Sequence, residues 1–213
     1  MIMTADLSPL DFPFDSDLTE RALDIAVQQF ADHGPNSTDM ARVAAAVERG
    51  TGARPVDFRR AYPTRLDLVY AITLRTTRRF VLRQIDGFDA DSPPIDRISR
   101  LIRAHIEFRW EHRVEEELRR AAAPALRSIS SARYRELSGL MRDYRDHVRR
   151  LIEAAQSTGA VTANDAAGAA ANLIATLDGI LNWYEPSGGL SLSELGDVYV
   201  DLIIHHHLGA PRE

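Results

Sequence analysis

Arg59 and Arg60 are adjacent, and close around them in the chain stand Arg54, Asp57, Tyr62, Thr64 and Arg65, with Thr38 a short way upstream. Guanidinium forks match phosphate oxygens and the guanine edge, and Tyr and Thr hydroxyls serve phosphate. Asp57 near phosphate would be repelled unless it accepts from cytosine or pairs with a neighbouring arginine. These eight residues are the candidates for nucleic-acid contact. A second set, His105, Phe108, Trp110, Tyr134, Tyr144, His147 and Trp183, combines apolar area with polar tips, and either lines a small-molecule cavity or packs as ordinary core at helical spacing. Arg145, Arg149 and Arg150 either meet phosphate on such a ligand or form a solvated helix face. A third grouping, His105, Arg109 and His112 beside Glu107 and Glu111, has the residue types of a metal or acid–base site. No sequence-distant nucleophile or ligand pattern accompanies it, and the chain has no glycine-rich phosphate loop and no cysteine. We therefore expect no catalytic residues, no metal site, no cofactor and no enzymatic activity. His205, His206 and His207 on a helix point about 100° apart and cannot share one ion, so they read as a helix end.

The first set needs two short helices to hold it. Thr38 can cap a helix lined by Met40, Val43, Ala44 and Val47, Gly50 and Gly52 break it, and Pro55 starts a second helix ending at Tyr62-Pro63. Two short helices joined by a glycine turn are what a helix-turn-helix needs. Around them the periodicity predicts helices over Leu18–Gly34, Thr64–Asp86, Ile95–Glu111, Val114–Leu126, Ser131–Ser157 and Ala166–Tyr184, and a last one capped by Ser191 and Glu194. The fold class is all-α. Its expected organisation is a flexible acidic tail over residues 1–17, a helix-turn-helix domain over 18–64, and a larger helical domain over 65–213.

A chain of 213 residues with 45% hydrophobic content fills one small reading unit and one larger helical domain. Its net charge of −5 is unevenly spread: Met1–Met40 holds one arginine against eight acids, whereas Ala41–Arg83 holds ten arginines against three acids. That basic stretch coincides with the proposed reading helices. Every basic residue is arginine, which suits bidentate contact, although GC-rich coding also explains the absence of lysine. No apolar run approaches membrane-spanning length and Met1–Leu18 lacks a secretory pattern, so a soluble cytoplasmic protein without a membrane partner is expected.

Ala22 to Gly34, Ser37 to Ala44, Phe58, Tyr62-Pro63-Thr64-Arg65 and Leu68 together resemble the tetracycline-repressor (TetR) family of transcriptional regulators: its first helix, its second helix, and its recognition helix with the signature that follows. The chain departs from that pattern by extra residues around Val47–Thr51, so helix two is longer or the turn is enlarged, and by Asp57 and Arg59 in the recognition helix. Gly179 to Ser191, with Asn182-Trp183-Tyr184 and Pro186, is similar to an element of the branch that responds to acyl-coenzyme A thioesters. The resemblance implies a homodimeric repressor that binds double-stranded operator DNA and is released by a small apolar effector, an acyl-coenzyme A being the first candidate. It also implies dimer contacts through Ala166–Tyr184 and Leu195–Ile204, with Leu177 and Ile203 expected at the partner face. The alternative is a dimeric ligand-binding or protein-interaction module on the same fold whose altered helix-turn-helix no longer reads an operator.

Overall fold

The computed structural model describes residues 16–35, 37–86 and 91–212, and among them there are helices and no strands. In order these are α1 (Ser16–His33), α2 (Met40–Thr51), α3 (Pro55–Ala61), α4 (Arg65–Asp86), α5 (Pro94–Glu111), α6 (Arg113–Ile129), α7 (Ser131–Ser157), α8 (Ala166–Asp178) and α9 (Leu192–Asp201), the last continuing as a π-turn over Leu202–His207. Residues 1–15 of the expected tail lie outside the described residues, whereas Ser16 and Asp17 already belong to α1. No described helix is long and apolar enough to cross a membrane.

Contacts divide the chain into two units: residues up to Leu74 with Val114–Ser131, and Arg75–Arg113 with Ala132–Glu213. The first unit therefore runs beyond Thr64 into α4 and includes α6. Its α1 packs on α2 and α2 on α3, burying Ala22, Leu23, Ala26 and Phe30 of α1, Val43, Ala44, Ala46 and Val47 of α2, and Phe58 of α3. Met40, expected on the buried face of α2, is half-buried, and Ala46 is buried there instead.

The caps of α2 correct two details. Asp39, not Thr38, is the N-cap, its carboxylate accepting from the Ala41 amide at 3.2 Å. The Thr38 side chain is turned inward, its hydroxyl donating to the Gly34 carbonyl at 2.8 Å with the Gln29 carbonyl at 3.3 Å, and so closes the α1–α2 corner. Gly50 does not break α2. It sits inside the helix where a Cβ would meet Ile25 Cδ1 at 2.5 Å, so it lets α1 come close. The break falls at Gly52, whose left-handed φ of 78° is open to glycine and whose amide returns to the Glu48 carbonyl at 2.8 Å.

In the second unit α5 packs against α8 and α9 around a core that includes Phe80, Ile98, Leu101, Ile102, Val148, Ile152, Leu173 and Leu195. Asp165 caps α8 through the Ala167 and Gly168 amides, and Ser191 with Glu194 forms a reciprocal capping box at α9. The helix expected over Ala166–Tyr184 stops at Asp178 and tightens into a 3₁₀ turn over Ile180–Asn182.

Candidate functional site

The head is built from α2, a three-residue turn of Gly52, Ala53 and Arg54, and α3. Helix two is thus the longer element and the turn stays short. Thr51 Oγ1 tightens the exit by donating to the Val47 carbonyl at 2.7 Å and accepting from the Ala53 amide at 3.2 Å. Pro55 opens α3, where a missing amide hydrogen costs nothing. Phe58 anchors α3 against the core and packs its ring 5.1 Å from that of buried Tyr62, which leaves Val56, Arg59 and Arg60 outward.

The arginines of this basic stretch divide by employment. Arg54 grips Asp57 with two bonds, Nε to Oδ2 at 2.7 Å and Nη2 to Oδ1 at 3.0 Å. That pair holds the Asp57 carboxyl below its ordinary range, through the Arg54 hydrogen bonds first, and raises Arg54 in turn. Arg42 donates to His33 Nε2 at 2.7 Å, while His33 Nδ1 faces the Gln29 carbonyl. Arg65 reaches back to the Pro35 carbonyl at 3.2 Å and to the Thr38 carbonyl, so its guanidinium ties α4 to the α1–α2 corner. Thr64 caps α4 by accepting from the Asp67 amide and donating to the Asp67 carboxylate at 2.6 Å. Arg49, Arg59 and Arg60 are exposed and make no hydrogen bond or ion pair among the described residues. Of the eight candidate residues, Thr38 and Tyr62 are buried, Arg54, Asp57, Thr64 and Arg65 are engaged locally, and Arg59 and Arg60 present open guanidinium forks on α3.

The second candidate set separates as well. Phe80 of α4 takes the edges of His105 and Tyr144 at 5.0 Å and 4.8 Å between ring centroids, and leans on Phe108 at 5.4 Å. The Arg109 guanidinium lies over the Phe80 ring at 4.3 Å and 3.3 Å from Asp178 Oδ1. His105 bridges α7 and α8, Nδ1 lying 2.8 Å from the Tyr144 hydroxyl and Nε2 lying 3.1 Å from Asp178 Oδ1. Burial first of all, opposed by Arg109 and reinforced by Asp178, pushes the Tyr144 phenol far above its ordinary value, so it stays protonated and donates to Nδ1. Nε2–H then serves the carboxylate. His147, further along α7, is buried with Nε2 unbonded, and burial first, then Arg150 and Arg97, lowers its pKa. Trp110 packs edge-on to Tyr184 beneath the Arg113 guanidinium, and Tyr134 is half-buried. Trp183 is 55% exposed and stacks on Tyr199 of α9, away from the Phe80 cluster.

Asp178 and Arg109 join this cluster without being among the seven candidates; a lone acid closing the otherwise uncharged α8 was the available signal for Asp178. Among the described residues no group of His, Cys, Asp and Glu has metal-site geometry.

The outward surface of α8 is a run of small side chains, Ala167, Ala171 and Ala175 with Asn172, and an open pocket there is lined by Ala169, Asn172, Ala175, Thr176 and His207. Val198 of α9 and Trp183 are large exposed apolar residues. Leu177 and Ile203, expected at a partner face, are 1% and 0% exposed. They belong to the subunit's own core, because the inward stripe of each helix already uses them.

Residues 91–206 match the family described as the C-terminal domain of tetracyclin-repressor-like proteins. No curated protein matches by sequence. Among solved structures, a bacterial regulatory protein of the TetR family from Rhodococcus RHA1 is similar at 20% identity and a TM-score of 0.77, over 93% of this chain and 100% of that one. The TetR-family transcriptional regulator PfmR from Thermus thermophilus is similar at 19% identity and a TM-score of 0.73, over 87% and 97%. AibR, solved in complex with isovaleryl coenzyme A and operator DNA, is similar at 16% identity and a TM-score of 0.73, over 91% and 100%. At these identities the likeness concerns the fold.

Proposed function

The chain belongs to the tetracyclin-repressor-like family of non-enzymatic transcriptional regulators, and on that premise we propose that it is a homodimeric, cytoplasmic repressor whose two α3 helices enter successive major grooves of a pseudo-palindromic operator. The observation that carries this reading is the pair of open guanidinium forks of Arg59 and Arg60 on a short helix pinned from below by Phe58. Such forks match guanine O6 and N7 or adjacent phosphates. The small-residue face of α8 with Val198 and Trp183 supports a twofold partner, since close helix approach needs small side chains and exposed apolar area needs cover. Release by a small apolar effector, with an acyl-coenzyme A as first candidate, is supported by the aromatic core around Phe80 and by AibR's isovaleryl coenzyme A complex on the same fold. The effector would bias α4, which contributes Arg65–Leu74 to the first unit and Arg75–Asp86 to the second.

The rival reading, a module that has lost operator binding, is favoured by an enlarged turn and by Asp57 in the recognition helix. The turn has three residues, and Asp57 pairs with Arg54. Selection of bound fragments from random duplex DNA tests the proposal: a twofold-symmetric site is expected, and Arg59→Ala or Arg60→Ala weakens binding to it by about 1–3 kcal/mol. Recovery of no enriched sequence overturns it.

A further inference from the structure

Val56, Arg59 and Arg60 are the exposed residues of α3. Pro55, Asp57 and Ala61 are half-buried and Phe58 is buried, so the open side of this helix consists of those three side chains alone. Spacings of three and four residues place Arg59 and Arg60 beside Val56 on one face. Val56 itself is 49% exposed. A single exposed valine says little by itself, and a β-branched residue does not serve the helix, for which alanine or arginine is the better former. Its company gives it meaning. One turn further on stand two guanidinium forks that make no hydrogen bond or salt bridge among the described residues. The charges on its other side are already matched, since Arg54 and Asp57 hold each other through bonds of 2.7 Å and 3.0 Å. One apolar side chain is thus offered to whatever anionic surface the forks take up, and duplex DNA carries such a surface with apolar groups set into its major groove.

We propose that Val56 is a base-reading residue of the head, packing against the C5-methyl group of a thymine in the operator. This rests on the operator reading given above and adds a specificity that the arginines cannot supply. Guanidinium forks select guanine or hold phosphate, whereas thymine is the one base of the four that presents a methyl group in the major groove. Along the helix axis Val56 stands about 4.5 Å from Arg59 and about 6 Å from Arg60. Base pairs are stacked about 3.4 Å apart, so the thymine falls one or two base pairs from the contact the forks make.

Fragments selected from random duplex DNA with the full-length protein supply the probe. A thymine at a fixed position of each half-site is expected. Each selected thymine of one half-site is then replaced in turn by deoxyuridine, which removes the methyl group and nothing else. At one position the unaltered protein should bind about fourfold more weakly, the worth of one methyl-sized apolar group. Val56→Ala draws the side chain back from the groove, and in that variant the same replacement should cost less than about twofold. Because Val56 is exposed, the variant is expected to melt as the unaltered protein does. A selected half-site without a fixed thymine, no deoxyuridine penalty at any of its thymines, or an equal penalty in both proteins overturns the proposal and leaves the operator reading standing. Recovery of no enriched sequence overturns the operator reading itself, and this proposal with it.

Discussion

In the reading head Arg54 finds Asp57 three residues along an exposed helix face, whereas in the second unit His105, fully buried, reaches Tyr144 and Asp178, 39 and 73 residues away. The exposed pair exchanges one solvated geometry for another at little cost, so DNA can re-employ either partner. The buried set cannot be rearranged without leaving a polar group stranded. Recognition by the head can therefore be tuned one side chain at a time, while the second unit answers any change within its polar cluster as a whole.

The sharpest way to break the contrast is Asp178→Ala, which strips His105 and Arg109 of one shared carboxylate. We expect a loss of about 2–3 kcal/mol in urea unfolding; a loss within experimental error would show that the buried cluster is as adaptable as the head. Arg65→Ala comes next. Because its guanidinium holds the Pro35 and Thr38 carbonyls, about 1–2 kcal/mol of stability should go with it. A fall in the salt slope of DNA binding at unchanged stability would instead place Arg65 on phosphate.

Asp57→Ala should leave Tm unchanged and free Arg54. Affinity for unrelated duplex DNA then rises, and the slope of log affinity against log salt steepens by about one. A drop in affinity confined to one operator position would mean that Asp57 accepts from a base. The smallest effect concerns pH. Burial holds His147 neutral, with Arg150 on its own helix and Arg97 on α5 opposing its charge. Its folded pKa lies below the unfolded 6.5, so the unfolded chain binds the extra proton. The stability it contributes is complete above pH 6.5 and is lost as pH falls from there toward the lowered folded value. His147→Gln should flatten the decline of Tm between about pH 7 and pH 5; parallel curves for the two proteins would remove His147 as its source.

What was legible in the chain was local. Pro55, Gly52, Phe58 and the Tyr62-Pro63 stop mark α3 because turn and cap chemistry act over a few residues, and the pairing of Asp57 with a neighbouring arginine was one of two options such proximity allows. Burial was less legible: Thr38 and Tyr62 carry the hydroxyls of a phosphate contact, yet α1 and Phe58 cover them. The partners of His105 could not be read at all, since nothing in α5 specifies which residues of α7 and α8 will face it. Gln84 hid for the same reason. Glutamine in a helix ordinarily marks a wet face, yet this one is 0% exposed.

Trp110 and Trp183 are the chain's two tryptophans, one edge-on to Tyr184 beneath Arg113, the other in the open on Tyr199. The protein thereby carries two intrinsic optical probes in unlike surroundings. The emission of Trp183 should lie to the red and yield readily to an aqueous quencher, while that of Trp110, half-buried beside a cation, should be better protected. Phenylalanine at either position would isolate the other signal. One spectrum could then follow two events independently, coverage of the α8–α9 surface by Trp183 and rearrangement at the foot of α5 by Trp110, without a dye or a tag.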